Sequence, residues 1–495
     1  MTSQLPADLL ILSVAALLGA GVLGAGFADR LRVPGLLLFL GLGIVIGDEV
    51  LGLVNFDDPV LAQAGATVAL VLILFEGGLT TKPSDLRRAS APAGVLATLG
   101  VVITAAVVAL GTFYLTDAEP ITALLAGAVV ASTDAAAVFT VIRRSPLQRR
   151  ITSLLEVESG FNDPMAIMLT IGVLEAWRGS PGVVDWVTFG VVQLVGGAAV
   201  GLAVGYGGSW VLRRASLGAA GLYPVMALSL AGLSYGVSAA IGASGFLAVY
   251  VAGLLIGAYV PRHRRDIRTF HDGLANTAEI GLFLMLGVLV FPSRLAEVAA
   301  PALVITALLV VVARPVAVFV SLVWFRYGWR EMTLVSWAGL RGAVPIVLAT
   351  FPFTAGYPGG SIIFDVVFFV VLMSATVQGL TVGPLAGRLG LQASAEVWRP
   401  VAEALPLDGV DAELVEVTVT EGLPVEGKRV KDVPLPDGAL LTTVVRNNRV
   451  IVPRGNTRMR AGDVLLVAAA RRPGVSPTAL AAAWAKGESD DAEPV

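Results

Sequence analysis

Long apolar stretches separated by short polar loops fill the chain from residue 6 to about residue 390. About thirteen of them approach the ~20 residues that an α-helix needs to cross a bilayer. This pattern predicts an all-α polytopic membrane domain over residues 1–390. The predicted spans are 7–27, 34–47 (a short one), 60–79, 91–115, 121–143, 151–176, 184–212, 221–240, 244–260, 272–291, 300–325, 331–354 and 361–389.

Basic residues cluster in every second loop, and the loops between them are acidic or nearly uncharged. By the positive-inside rule the basic loops are cytoplasmic. The alternation predicts a protein of the plasma membrane with its amino terminus outside and, after an odd number of crossings, its carboxyl terminus in the cytoplasm. The clusters are Arg30/Arg32, Lys82/Arg87/Arg88, Arg143/Arg144/Arg149/Arg150, Arg213/Arg214, Arg262/Arg264/Arg265/Arg268 and Arg326/Arg330.

The composition changes after the last apolar stretch. Residues 391–411 are rich in Pro, Asp and Glu, and this pattern predicts a linker. Short β-like runs follow at 414–420, 440–446, 449–453 and 463–468, with Asn447 and Asn448 as a tight hairpin turn. We therefore expect a small α/β or mostly β cytoplasmic domain over residues 412–472 and a disordered tail over 473–495.

The overall composition supports the membrane assignment and excludes several functions. Of the 495 residues, 56% are hydrophobic and 14% are charged, whereas about a quarter of the residues of a soluble protein are charged. A net charge of −3 with scattered basic residues argues against a nucleic-acid partner. The chain has no cysteine, and its two histidines, His263 and His271, are expected to be loop residues in or near one basic segment.

A cluster of acids and amides interrupts the apolar stretch between residues 155 and 170. Glu158 and Asn162 are four residues apart, as are Ser159 and Asp163, so a helix would bring these polar groups onto one surface. Pro164 cannot donate the backbone hydrogen bond to the carbonyl one turn earlier and leaves that oxygen free. Ionisable groups at membrane depth are candidates for function. The sequence predicts a small cation site here, with a polar knot that only joins helices as the alternative.

A second interruption lies about halfway along the fifth span. Ser132, Thr133 and Asp134 follow one another inside an Ala/Val run. Short polar side chains compete with the backbone for hydrogen bonds, which favours local unwinding. Unwound backbone at the centre of a transporter can bind a cation through its carbonyl oxygens.

A third interruption lies in the twelfth span, where Arg341 stands between Gly339 and Gly342. A permanently charged guanidinium at this depth requires a carboxylate partner, for which Glu158 is the candidate. This pair could serve transport directly or could only hold the helices in place. The fifth and twelfth spans are seven apart, which suits inverted repeats with two discontinuous helices that cross near the midplane. Arg341 could neutralise the negative ends of both helices.

Two other acids lie within or near predicted spans. Glu279 is inside the tenth span and is expected to be a packed helix contact rather than a proton relay. Asp365 is near the start of the last span and is expected to be solvated at a membrane face.

Four short motifs carry a resemblance to a known family. They are LFEGGL at 74–79, STDAAAVF at 132–139, ESGFND at 158–163 and GLRGAVP at 339–345. Together they resemble the cation/proton antiporter family of sodium/proton exchangers over residues 7–390. The segments EGLPVEGKRVKDV at 421–433 and AGDVLLVAA at 461–469 are similar to the C-terminal half of the regulator-of-potassium-conductance module, the TrkA-C-like domain. The nucleotide-binding half that often precedes this domain has no counterpart here.

The resemblance implies an ion site for a monovalent cation, K⁺ or Na⁺. Asp163 would hold a proton and a cation alternately, with Asp134, Thr133 and Ser159 as further ligands. Asn162 would stand where charge-moving relatives have a second acidic residue. In this family an Asn-Asp pair accompanies electroneutral exchange. The remaining implied roles are a structural ion pair between Glu158 and Arg341 and a water-mediated contact of Glu76 with the ion.

The function expected from these observations is the exchange of potassium for protons, one for one, by competition at Asp163 with alternating access. Sodium/proton exchange by the same fold is the alternative. No cofactor is expected, although a small nucleotide could regulate the C-terminal domain, and the family implies a homodimer in the lipid membrane.

Two other classes of protein are alternatives to a secondary transporter. An intramembrane aspartyl protease could use Asp134 and Asp163 as a dyad, but neither aspartate lies in a Gly-x-Gly-Asp context. A potassium channel would need a TVGYG-like filter, which the chain lacks. The sequence therefore predicts a transporter and not an enzyme.

Overall fold

The structure, a computed structural model, divides into two compact units, Met1–Gln392 and Ala393–Val495. It describes residues 15–24, 26, 35–54, 58–81, 83–134, 147–179, 182–260, 263–392, 404–406, 412–419, 422–433, 435, 437–446, 449–470 and 484.

The described part of the first unit is helical. Six of its helical stretches are long and apolar enough to cross a membrane. The helices are α1 (Ala15–Gly24), α2 (Gly35–Ile46), α3 (Pro59–Thr80), α4 (Pro83–Val95), α5 (Val101–Leu115), α6 (Pro120–Val129), α7 (Arg149–Arg178), α8 (Val183–Val191), α9 (Gly197–Arg214), α10 (Leu222–Ala240), α11 (Gly245–Tyr259), α12 (Arg264–Val288), α13 (Pro292–Leu308), α14 (Arg314–Leu322), α15 (Trp329–Trp337), α16 (Ala343–Thr354) and α17 (Gly360–Leu389).

Several of these helices join into longer ones through a single wide turn. A π-helical turn at Leu96–Gly100 joins α4 to α5, another at Val192–Gly196 joins α8 to α9, and a third at Leu309–Ala313 joins α13 to α14. Such turns occur often at functional sites. Arg314 begins α14 directly after the third turn.

The helix bounds follow the apolar runs of the sequence closely, as for the predicted span 60–79 and helix α3. The first span, 7–27, and the second half of the fifth lie partly outside the described residues. Three helices begin about two turns before the predicted starts of their spans: α4 at Pro83, α12 at Arg264 and α13 at Pro292. His271 is therefore a buried helical residue whose Nδ1 lies 2.7 Å from the carbonyl oxygen of Ile267, and its assignment to a loop is wrong.

Helices α3 and α11 are in backbone contact. A Cβ added to Gly78 would lie 2.4 Å from the carbonyl oxygen of Tyr250, and one added to Gly253 would lie 2.5 Å from that of Phe75. No side chain fits between the helices at these points. This close approach accounts for the glycines of the LFEGGL segment.

The second unit contains a five-stranded antiparallel sheet in the order β1-β2-β5-β3-β4. Buried Val417, Val444 and Leu465 form its core, and Trp484 packs against them. Its described residues are mostly strands, with one 3₁₀ turn at Val430–Asp432 and a helical residue, Trp484. The strands are β1 (Ala404–Pro406), β2 (Ala412–Thr418), β3 (Ala439–Arg446), β4 (Arg449–Ile451) and β5 (Val464–Ala470).

Strand β1 and the hairpin between β3 and β4 correspond to two segments for which the sequence made a prediction. Strand β1 lies within the residues predicted to be a linker. Three residues bounded by prolines and acids carry no detectable β pattern, and β1 is held by its pairing with β2. Strands β3 and β4 pair through Arg446 and Arg449 around the predicted hairpin, whose two asparagines lie outside the described residues.

Candidate ion-binding site

Two interrupted helices meet inside the helical unit. Helix α6 ends at Val129, and α15 ends at Trp337, with five residues between it and the start of α16 at Ala343. The backbone N–H of Asp134 donates a hydrogen bond of 2.9 Å to the carbonyl of Leu340, so the two irregular segments touch. A Cβ added to Gly342 would lie 1.5 Å from Oδ2 of Asp134. Only glycine leaves room for this carboxylate.

Helix α7 faces the first of these breaks with the predicted polar cluster. Ser159 Oγ donates a 2.5 Å hydrogen bond to the carbonyl of Thr133, and the Asn162 amide donates to Thr133 Oγ1. Asn162 and Thr133 also lie within 3.4 Å of Oε1 of Glu158. The structure therefore brings together Thr133, Glu158, Ser159 and Asn162, although they come from two segments about 25 residues apart.

Three buried oxygen atoms in this region have no hydrogen-bond partner among the described residues. They are Oδ1 of Asp163, Oδ1 of Asn162 and Oγ of Ser132. The Asp163 side chain is 6% exposed and interacts electrostatically with Asp134, Glu158 and Arg341. Buried polar atoms without a partner are costly unless a ligand satisfies them. Carboxylate, amide and hydroxyl oxygens suit an alkali cation.

The acid Glu158 is paired with a different arginine from the one predicted. Arg314 Nη1 and Nη2 lie 2.7 and 2.8 Å from its Oε1 and Oε2, and both residues are buried. The prediction of a Glu158–Arg341 pair is thus wrong for the direct contact. Arg314 fits because Gly339 carries no side chain: a Cβ there would lie 2.6 Å from Arg314 Nε.

Arg341 instead binds the unwound backbone. Its Nη1 donates to the carbonyl of Ala131 at 2.8 Å and to that of Ser132. These oxygens follow the C-terminal end of α6, where the carbonyls lack helical partners and the helix dipole is negative. The guanidinium therefore lies at the negative end of α6, which is one of the two helix ends that it was expected to neutralise.

Side chains of helix α17 form hydrogen bonds to the second break, the segment between α15 and α16. Gln378 donates from Nε2 to the carbonyl of Trp337 at 2.8 Å, and it accepts a 2.5 Å hydrogen bond from Ser374 Oγ. The same Ser374 hydroxyl accepts from the backbone N–H of Arg341 at 3.2 Å. One turn further along, Thr381 accepts from the indole N–H of Trp337 at 2.8 Å. A polar strip on α17 thus fixes the end of α15 and the backbone of Arg341.

Sequence reasoning missed Arg314, Ser374 and Gln378. A signal for Arg314 was present, because a single arginine inside the apolar stretch 300–325 is as exceptional as Arg341. Ser374 and Gln378 gave a weaker signal, since uncharged polar side chains also serve to hydrogen-bond one membrane helix to another.

Two further acids lie near the site. Glu76 is half-buried on α3 and Glu279 is half-buried on α12. Glu279 interacts electrostatically with Asp134 and with Glu76. Its surroundings therefore include other acids as well as apolar packing.

Broken helices that meet around buried carboxylates inside an apolar bundle define an ion-coupled secondary transporter. The comparisons with known proteins agree: the sodium/hydrogen exchanger transmembrane family matches residues 13–388, and the TrkA-C domain family matches residues 414–472. The chain belongs to the sodium/hydrogen exchanger family, which confirms the predicted resemblance and the function of a cation/proton antiporter. Its relatives are transporters, and it is not an enzyme.

Individual relatives cover nearly the whole chain. The K(+)/H(+) antiporter NhaP of Alkalimonas amylolytica is 38% identical over 474 residues, which cover 93% of this chain and 81% of the relative. The K(+)/H(+) antiporter NhaP2 of Shewanella oneidensis is 38% identical over 465 residues, with 92% and 80% covered. The sodium proton antiporter MjNhaP1 of Methanocaldococcus jannaschii has a solved structure with TM-score 0.67 and 24% identity, and the match covers 77% of this chain and 98% of that one. This likeness confirms the fold.

Proposed function

We propose that the protein exchanges potassium for protons, one for one, with Asp163 as the group that binds each in turn. The observation that carries the proposal is the buried Asp163 carboxylate oxygen, which has no partner among the described residues and lies in a region with other unsatisfied oxygens. Potassium is favoured because relatives 38% identical over more than 90% of the chain are K(+)/H(+) antiporters. The Na(+)/H(+) antiporter ApNhaP of Aphanothece halophytica, at 28% identity over 77% of the chain, makes sodium the second candidate.

The proposed mechanism rests on competition at one carboxylate. Lone pairs that hold a proton cannot also hold a metal ion, so Asp163 carries either a proton or a cation. Thr133, Ser159 and Asp134 are the proposed further ligands, and Glu76 is proposed to reach the ion through water. Asn162 is neutral at every relevant pH, so Asp163 is the member of this adjacent pair that exchanges its charge. Each cycle then moves one proton against one monovalent cation, and the exchange is electroneutral.

Access from the two sides is proposed to alternate about the crossing of the broken helices. Thirteen helices in inverted repeats, with the amino terminus outside and the carboxyl terminus in the cytoplasm, would place this crossing near the midplane. The arrangement of Arg314 and Arg341 supports the proposal, since one neutralises Glu158 and the other binds the carbonyls of the break. The ion site then has the fixed charges of Glu158, Arg314 and Arg341 around the exchangeable charge of Asp163.

The sheet domain is proposed to regulate transport. We divide the chain into an antiporter domain at 1–390, a linker at 391–411, a regulatory domain at 412–472 and a disordered tail at 473–495. A homodimer and a small nucleotide bound by the regulatory domain complete the proposal. Mass in mild detergent tests the dimer, and calorimetry on the full chain with candidate nucleotides tests the ligand; a monomer at all concentrations, or no heat, would count against each.

Ion selectivity is the most direct test of the proposed function. Proteoliposomes that contain a pH-sensitive dye are given potassium or sodium at equal concentration and constant ionic strength. Potassium should release protons from the dye compartment at a concentration at which sodium gives little signal. A response to sodium without one to potassium would favour the second candidate, and a response to neither would remove the proposal.

A further inference from the structure

The acid Asp365 lies in a small cavity far along the chain from the proposed ion site. It was predicted to be solvated, but its side chain is buried, with 3% of its surface exposed. The cavity has a volume of about 60 Å³. Its polar lining consists of Asp365 and Ser361 from α17, Thr350 from α16, and Arg294 from α13; Phe353 and Phe364 are among its apolar walls.

Asp365 makes no hydrogen bond or ion pair to any residue that the structure describes. A carboxylate that is removed from water without a partner is costly, and the cost falls if a ligand enters the cavity. A cavity needs about 10–15 Å³ of such volume to hold one water, so this one has room for several water-sized particles. An alkali cation with one retained water fits this size.

The oxygens that line the cavity suit a hard cation. Ser361 and Asp365 are four residues apart on α17, so both lie on one face of the helix. Thr350 Oγ1 donates to the carbonyl of Val347 at 2.6 Å, and its lone pairs remain available as acceptors. A carboxylate and two hydroxyls are ligands of the kind that alkali and alkaline-earth ions take.

The charges around the cavity favour a cation over an anion. Asp365 interacts electrostatically with Arg294 and Glu297, and Arg294 also interacts with Glu49. The charges at the cavity therefore include one guanidinium and two carboxylates, Asp365 in the lining and Glu297 near it, while Glu49 interacts with Arg294 outside the lining. Arg294 is exposed and stacks over the ring of Phe291, with its Cζ 4.0 Å from the centroid. Because Arg294 is exposed, solvent screens its repulsion of a cation in the cavity more strongly than it would screen the repulsion from a buried charge.

We propose that this cavity is a second binding site for a monovalent cation, with Asp365 as its charged ligand. The site is separate from the exchange at Asp163 and does not depend on it. Thr350 belongs to α16, the helix that begins directly after Gly342 of the break. A cation in the cavity therefore joins α16 to α17 and stabilises their packing.

The test uses the full chain with the proposed transport site disabled. Asp163→Asn protein in detergent is heated in potassium chloride or in choline chloride at the same ionic strength, and unfolding is followed by tryptophan fluorescence. We expect potassium to raise the Tm by about 1–3 °C, since a ligand that binds only the folded state stabilises it. The double variant Asp163→Asn/Asp365→Asn should lose this rise. The control Asp163→Asn/Asp272→Asn, which changes an exposed acid of α12, should keep it.

Each outcome decides the proposal. No potassium-dependent rise in Asp163→Asn, or a rise that survives in the Asp365→Asn double variant, would overturn it. If Asp365→Asn does not fold, Asp163→Asn/Ser361→Ala should require a several-fold higher potassium concentration for half of the rise, and an unchanged concentration would overturn the proposal. Transport does not enter this readout, so a failure of potassium/proton exchange and a failure of the second site are distinguishable.

Discussion

Glu158 and Arg314 form a bidentate ion pair, with nitrogen–oxygen distances of 2.7 and 2.8 Å, in which both side chains are buried. Because Arg314 satisfies this carboxylate, Arg341 can bind the carbonyls of Ala131 and Ser132. Two arginines thus have separate roles, one beside an acid of α7 and one at a helix end. Substitution of Arg314 and substitution of Arg341 should therefore have different effects on the protein.

Removal of Arg314 alone should strand the charge of Glu158. We expect Arg314→Leu to lower the free energy of unfolding by about 3–5 kcal/mol, the cost of an uncompensated buried charge. The double variant Arg314→Leu/Glu158→Gln should recover part of this loss, because no charge is then left unpaired. Denaturation in detergent, followed by tryptophan fluorescence, measures both. A double variant that is less stable than the single one would contradict this account of the pair.

A methyl group at position 342 should disrupt the crossing of the breaks. The added Cβ would lie 1.5 Å from Oδ2 of Asp134, so the carboxylate or the backbone must move. We expect Gly342→Ala to reduce cation/proton exchange by at least about tenfold, as displacements of about 1 Å at a site can do. Gly236→Ala is the control, since among the described residues no atom outside its own helix turn lies within 4 Å of its added Cβ. Equal exchange by the two variants would show that the contact with Asp134 has no role.

The Ser374–Gln378 pair should act as a unit. Gln378→Leu removes the donor to the Trp337 carbonyl and the acceptor of the Ser374 hydroxyl. A buried polar group left without a partner costs about 1–3 kcal/mol. We expect Gln378→Leu and Ser374→Ala to be destabilising, and the double variant to lose less than the sum, as interacting residues do. Strict additivity in thermal or chemical unfolding would indicate that the two side chains act separately.

The sheet domain should lose stability in acid through Asp463. Burial raises the pKa of this carboxyl, but hydrogen bonds from Arg446 and from the backbone N–H of Arg460 outweigh the burial and leave the pKa below its usual value. A lowered pKa in the folded state adds stability above the unfolded pKa of about 3.9, and this stability disappears as the pH falls through the folded pKa.

A fragment of residues 401–495 allows this to be measured, because Trp484 is its only tryptophan and packs in the core of the sheet domain. The urea midpoint of the wild-type fragment should fall more steeply between pH 5 and 3 than that of Asp463→Asn. Parallel curves for the two fragments would contradict the assigned role of Asp463.

The sequence predicted most of the helical bounds, because membrane-spanning helices depend on long apolar runs that are visible one residue at a time. It also predicted the two breaks, since three successive polar residues, or an Arg between glycines, can continue an apolar helix only at a high energetic cost. It named Arg341 as the partner of Glu158 and missed Arg314, since this pairing depends on how closely α14 approaches Gly339. The burial of Asp365 could not be predicted either, because an acid near the start of an apolar run gives the same sequence pattern whether it faces water or a cavity.

Exchange by Asp163→Asn, compared with wild type in the same proteoliposomes and with potassium and sodium in parallel, shows whether Asp163 carries both the proton and the cation. Asparagine keeps the size of the side chain and removes only its ability to alternate between a proton and a cation. We expect proton flux driven by either cation to fall to the level of liposomes without protein, while the variant keeps its detergent mass and its Tm in choline. Exchange at the wild-type rate by this variant would contradict the proposed role of Asp163.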